Sequence, residues 1–180
     1  MNARRWLPAA LCAALLTLAA CGGGSQGEPA DVGQPLPTPQ GSASAAVAGT
    51  ISLLDERLAG RGYQMFPPIA PYRPSEPESL TQVPRTVLQV SGAEADQGYV
   101  LIYSFPTDAA AAAAGAELAR YVASGFGQTN YPTDAQFSVA QVGSTLVFTW
   151  YSGARANDPA AVRGAFDAIR SVGQPFPVVK

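Results

Sequence analysis

With 180 residues, the chain has room for one domain of ordinary size plus appendages, and a second full domain does not fit. Its 47% hydrophobic and 13% charged residues set it apart from disordered chains, which are charged and poor in apolar side chains. Eleven basic against 13 acidic side chains leave a formal charge of −2, without the basic excess that nucleic acid binding demands.

At the N-terminus, Arg4 and Arg5 precede an apolar run from Leu7 to Leu18, which ends at Cys21-Gly22-Gly23-Gly24. A membrane-spanning helix needs about 20 apolar residues, so this run is too short to span and reads as an export signal. At its end, Leu18-Ala19-Ala20-Cys21 resembles the lipobox of bacterial lipoproteins: a branched apolar residue, two small residues and the cysteine that is modified. The resemblance implies a diacylglycerol on the Cys21 sulfur, cleavage between Ala20 and Cys21, and an acyl chain on the new amino group. Each buried methylene contributes about 0.8 kcal/mol, so two or more chains hold a protein firmly on a membrane. The expected address is the extracytoplasmic side of the cell membrane or of an outer membrane. Loss of residues 1–20 leaves 9 basic against 13 acidic side chains, and Cys21 as the single cysteine, so the mature chain forms no internal disulfide.

Residues 21–49 are rich in Gly, Ser, Gln, Pro and Ala without a hydrophobic period, and read as the lipidated cysteine followed by a flexible tether. At about 5.5 Å times the square root of its length, such a tether reaches roughly 30 Å. The folded domain is expected over residues 50–180.

The spacing of Ile51, Leu54 and Leu58 predicts a first helix from Thr50 to Ala59, stopped by Gly60 and Gly62. Tyr63 to Phe66 reads as a short strand. Residues 67–84 form a Pro-rich loop that no central strand tolerates. Thr86 to Val90 and Tyr99 to Phe105 then read as a hairpin. Thr107 and Asp108 are suited to cap a second helix running to Ser124, with Leu118, Tyr121 and Val122 on its buried edge and Gly125 at its end.

Gln136 to Val142 and Thr145 to Tyr151 flank Gly143-Ser144, a pair suited to a two-residue hairpin turn. That register sets Phe137 opposite Trp150 and Val139 opposite Phe148 on an apolar face, with Ser138, Thr145 and Thr149 on a polar one. The last helix opens at Asp158-Pro159, buries Val162, Phe166, Ile169 and Val172, and closes at Gly173. These elements predict an α+β fold: a two-layer sandwich in which two hairpins and a short strand form a mostly antiparallel sheet, with about three helices on the face of Phe137, Phe148 and Trp150. The pattern over residues 52–176, ending in Gly173-Gln174-Pro175-Phe176, is similar to uncharacterised small bacterial lipoprotein domains, which bring no activity with them.

The chemistry is constrained by what is missing. There is no histidine, and the one lysine is Lys180, so a serine or cysteine nucleophile lacks its usual base. Zinc sites built on histidine or clustered cysteine fail for want of ligands, and no phosphate-binding glycine loop appears. No cofactor is expected. Carboxylate chemistry stays open by composition, yet Asp55/Glu56, Glu76/Glu78 and Glu94/Asp96 read as solvated charges on a helix surface and in loops. Tyr63, Tyr72, Arg73 and Arg85 gather around the Pro-rich loop, where the tyrosines are expected to pin the long loop onto the domain; because tyrosine and arginine also serve as interface anchors, the four form the candidate interaction surface. The expectation is a non-enzymatic, membrane-anchored binding or assembly module, its partner an envelope protein or ligand. A small carboxylate-dependent, glycan-acting hydrolase and a carrier of an apolar ligand, lined by residues such as Phe148 and Trp150, are the alternatives.

Overall fold

A computed structural model describes residues 44–94 and 96–179, so the export signal, the lipobox and most of the expected tether lie outside the described residues. Four α-helices and six strands follow in the order α1 (Ala45–Ala59), β1 (Met65–Phe66), β2 (Arg85–Val90), β3 (Tyr99–Ser104), α2 (Asp108–Ala123), α3 (Gly125–Gln128), β4 (Gln136–Val142), β5 (Thr145–Tyr151), α4 (Pro159–Ile169) and β6 (Gln174–Phe176). The strands form one antiparallel sheet ordered β1-β2-β3-β5-β4-β6. The α+β class and the antiparallel sheet are as expected, and both hairpins are present. No helix among the described residues is long and apolar enough to cross a membrane.

Local chemistry explains most element boundaries. The Thr107 hydroxyl accepts from the Ala110 N–H at 3.2 Å, and the Asp158 carboxylate accepts from the Ala161 N–H at 3.0 Å, which caps α2 and α4 where the sequence places caps. In the second hairpin Phe137 pairs with Trp150 and Val139 with Phe148, the expected register, with Gly143 at φ 55° in the turn.

Three expectations are corrected. First, α1 opens at Ala45, capped by Ser44, so residues 45–49 belong to the helix and not to the tether. Ala45 and Ala46 favour helix, and Val47, 3% exposed, packs into the core one turn before Thr50. Second, Gly125 does not end the helical path. Ser124 ends α2 and caps the short α3, its hydroxyl accepting from Gly127 N–H.

Third, the helices divide between both faces of the sheet. α2 covers the face of Leu101, Val139, Phe148 and Trp150, while α1 and α4 cover the face of Val100, Ile102 and Val147. The two central strands are apolar on both faces, Tyr99–Ser104 and Thr145–Tyr151 being almost wholly buried, and such strands need cover on each side. Two of the three hydroxyls read as a polar face are satisfied internally: Thr145 and Thr50 bond each other at 2.8 Å, and Thr149 donates to the Tyr99 carbonyl at 2.8 Å.

β6, which has no counterpart among the expected strands, adds Gln174–Phe176 to the outer edge of β4. Gly173 turns the chain into it at φ 78°, where a Cβ would lie 2.3 Å from the Gln141 carbonyl oxygen. Gly173→Ala therefore meets both a left-handed backbone and a backbone clash. The expected loss is more than about 1 kcal/mol, visible as a lower urea midpoint at unchanged slope. An unchanged midpoint would show that β6 is not locked against β4.

Candidate functional site

The Pro-rich segment is not a loose loop but a strap across the α2 side of the sheet. Leu80 enters the core at 1% exposure, and the prolines Pro74 and Pro77 are buried. Aromatic rings fasten its first half. Tyr72 stacks on Tyr99 with ring centres 3.8 Å apart and nearly parallel, and its hydroxyl accepts from Trp150 Nε1 at 2.8 Å. Tyr131 meets Phe137 and Trp150 edge-on and donates its hydroxyl to the Ser75 carbonyl at 2.9 Å. The Ser75 hydroxyl bonds the Tyr121 hydroxyl at 2.8 Å. Burial raises the Tyr72 and Tyr131 phenols well above their ordinary range.

An ion pair fastens the second half. The side chains of Glu76 and Arg85 are 2% and 0% exposed, and Arg85 Nη1 donates to Glu76 Oε2. The same oxygen accepts from the Tyr103 hydroxyl at 2.7 Å, while Arg85 Nη2 donates to the Thr81 carbonyl at 3.3 Å and the guanidinium lies 5.3 Å from the Tyr103 ring centre. Burial and then the Glu76 charge push the Tyr103 phenol well up. Burial alone would lower the Arg85 guanidinium, but Glu76 and Tyr103 outweigh it and hold it above its ordinary range. Among the described residues, Glu76 Oε1, Arg85 Nε and Gln89 Oε1 have no hydrogen-bond partner.

Beside the strap opens a cleft of about 630 Å³, within the range of small-molecule sites. Its wall is built from the strap residues Tyr72 to Ser75, from Thr129 to Pro132 in the segment between α3 and β4, from Trp150 near the end of β5, and from Asp96 and Arg155 on two loops. Arg155 and Asp96 pair at 3.1 Å, both more than half exposed, a contact that contributes little in water. Arg73 is different: its side chain is 23% exposed, and its guanidinium meets only Glu76 among the described residues, Nε to Oε1 at 3.8 Å.

The loop carrying Arg155 is held by two further acids. Asp134 accepts from the Ser152 hydroxyl at 2.6 Å and from the Ala154 N–H at 2.9 Å, and these two bonds hold its carboxyl below the usual range. Glu94 accepts from the Asn157 N–H and from Gln97 Nε2, with the same downward effect. Gln97, fully buried, accepts from the Ser152 N–H at 3.0 Å. These groups position the rim and do not line the cleft.

The four residues expected to form one surface separate. Tyr72 and Arg73 line the cleft. Arg85 is enclosed, because its charge is neutralised by Glu76 beneath the strap, and it presents no surface to a partner. Tyr63 packs on the opposite face of the sheet, against the α1–α4 core and close to Gly164.

Sequence reasoning also missed several contributors. Glu76, read as a solvated charge, is the buried acid, while Tyr131, Trp150 and Arg155 reach the cleft from distant elements, and no local spacing signals that meeting. Glu94 and Asp96 do lie in the β2–β3 loop, but Glu94 is committed to main-chain and amide donors. Asp55 and Glu56 are exposed on α1 as expected. Among the described residues no three His, Cys, Asp or Glu side chains converge as a metal site would require. Phe148 and Trp150 belong to the core, Trp150 also reaching the cleft; the space around Val162, Ala165 and Ile169 beneath α4 is about 10 Å³, whereas a second cavity of about 420 Å³ lies where Phe166 and Arg170 of α4 meet Phe137 and Val139 of β4 and Phe176 of β6.

Fold and site together define an α+β domain whose strapped sheet carries an open, polar cleft with aromatic walls. Comparison with protein families, with characterised proteins and with solved structures finds no match to this chain.

Proposed function

We propose that this chain is a lipid-anchored cell-envelope protein that works without catalysis, as a binding module whose site is the cleft beside the Pro-rich strap. The cleft carries the reading. It has the volume of a small-molecule site, its walls combine aromatic rings with hydrogen-bonding groups, and it is backed by side chains locked through stacking and internal bonds. Rigid backing lowers the ordering cost of binding. Among the described residues the wall holds a single carboxylate, Asp96, so no pair of acids flanks a scissile bond among them. The lipobox Leu18-Ala19-Ala20-Cys21 supports an anchored state, with the domain held near the membrane by lipid on Cys21.

Native mass spectrometry of the protein extracted from its host's membrane tests both parts. The expected mass lacks residues 1–20 and carries acyl chains that Cys21→Ser abolishes. A retained ligand is expected as well, displaced by Asn130→Trp in the cleft and kept by Arg163→Ala on the exposed side of α4. An unmodified mass would sink the anchor, and a ligand indifferent to Asn130→Trp would sink the cleft.

A further inference from the structure

We infer that the cleft recognises a small sugar acid: a polyhydroxylated ring bearing a carboxylate or phosphate, with Arg73 as the anchor for the negative group. The inference rests on the cleft being the binding site.

Arg73 supplies the first argument. A guanidinium carries five N–H donors in a planar fork that matches an oxyanion with two parallel bonds. Its side chain is about three-quarters buried, yet it makes one long ion pair and no hydrogen bond among the described residues. Glu76, that single partner, is already neutralised by Arg85 on its other oxygen. The fork of Arg73 is therefore left with unused donors.

The second argument is the charge of the wall. Two guanidiniums, Arg73 and Arg155, face one carboxylate, Asp96. The Arg155–Asp96 pair is exposed and weak, so an incoming oxyanion can take Arg155 over at little cost. Glu94 and Asp134, the nearby acids, spend their oxygens on N–H and hydroxyl donors of the β2–β3 and β5–α4 loops.

The third argument is the remainder of the lining. The Thr129 hydroxyl and one Asn130 N–H donate to the Phe126 carbonyl, which leaves the second Asn130 N–H as a donor and Asn130 Oδ1, Thr129 Oγ1 and the Asp96 carboxylate as acceptors for hydroxyl groups, while Tyr72 and Tyr131 supply ring surface. Stacking and hydrogen bonds already hold both phenols, so their rings keep one orientation when a ligand arrives.

The full chain is titrated with glucuronate, glucose 6-phosphate and glucose, following side-chain NMR signals of Tyr72, Tyr131 and Trp150, with Arg73→Gln, Arg73→Lys and Arg155→Ala beside the wild type. One or both charged sugars are expected to shift the cleft signals and to bind at least tenfold more tightly than glucose. Which of the two binds tells a carboxylate source from a phosphate source. Arg73→Gln should weaken the charged sugar at least tenfold, with Arg73→Lys intermediate because an ammonium keeps the charge but not the fork, and Arg155→Ala should weaken it less than Arg73→Gln.

Equal binding of glucose, or a charged sugar unaffected by Arg73→Gln, would overturn the inference while leaving the cleft as the site. Silence from all three probes overturns it too. In that case a host-derived ligand displaced by Asn130→Trp would keep the binding-module reading, and its absence would end both.

Discussion

Replacing Arg85 with methionine is expected to destabilise the domain by about 3–5 kcal/mol, because it leaves the buried Glu76 carboxylate with the Tyr103 hydroxyl and only a long contact to Arg73. Domains of this size hold only about 5–15 kcal/mol in total, so the variant should be marginal. The pair is buried almost completely, and among the described residues Tyr103 is the one other group that donates to the same oxygen of Glu76. The double variant Glu76→Leu, Arg85→Met removes both charges together and should lose clearly less than the two single losses combined. Urea unfolding of the full chain and its three variants measures that coupling. A loss below about 1 kcal/mol for Arg85→Met would mean that water reaches Glu76 and that the strap is not clamped. The effect should extend to binding, since Glu76 holds the strap three residues beyond Arg73.

The second large effect is an abrupt alkaline unfolding. Tyr72, Tyr103 and Tyr131 are all raised, first by burial, with Glu76 adding to Tyr103 and neighbouring tyrosines adding to Tyr131. A phenol is neutral when protonated, so a raised value in the folded state means that the folded chain keeps its proton while the unfolded chain releases it above pH of about 10. The stabilisation is thus complete below that pH and drains away as pH rises toward the folded-state values. Each tyrosine removes about 1.4 kcal/mol per pH unit, and the three together about 4 kcal/mol per unit.

Loss of secondary structure should therefore coincide with a cooperative rise in phenolate absorbance, within one to a few pH units above about 10. Tyr131→Phe, which removes the hydroxyl that donates to the Ser75 carbonyl, should make that descent less steep by one tyrosine's share. Smooth phenolate formation by all seven tyrosines while the fold persists would show that the strap leaves them open to water.

Most of the secondary structure was legible because the signals are local. Gly143-Ser144 between two alternating runs yields one hairpin register, and Asp158-Pro159 ahead of Val162, Phe166 and Ile169 yields one helix. The misplaced features depend on what lies across space. An apolar strand such as Val100 to Ile102 does not itself say whether helices cover one of its faces or two, and Thr145 looks like a surface residue until Thr50 meets it. The three-residue β6 contains Pro175, which argues against a strand in isolation; it is a strand because β4 offers it an edge.

The candidate site was less legible still. Tyr72 and Arg73 were singled out by residue type, and both line the cleft. Arg85 was singled out on the same grounds and proved to be interior, because a guanidinium looks alike whether it faces a partner or a buried acid nine residues away.

The sequence by itself determined the α+β class, the register of the second hairpin, the caps of α2 and α4 and the lack of histidine, since periodicity, caps and composition act within a few residues of chain. Only the tertiary structure decided that the Pro-rich segment is a strap, that Glu76 is buried, and that Tyr72, Tyr131, Trp150 and Arg73 share one cleft. Those contacts join residues up to 78 positions apart, as the Tyr72–Trp150 bond does, and burial and pairing at that range are properties of the packed chain.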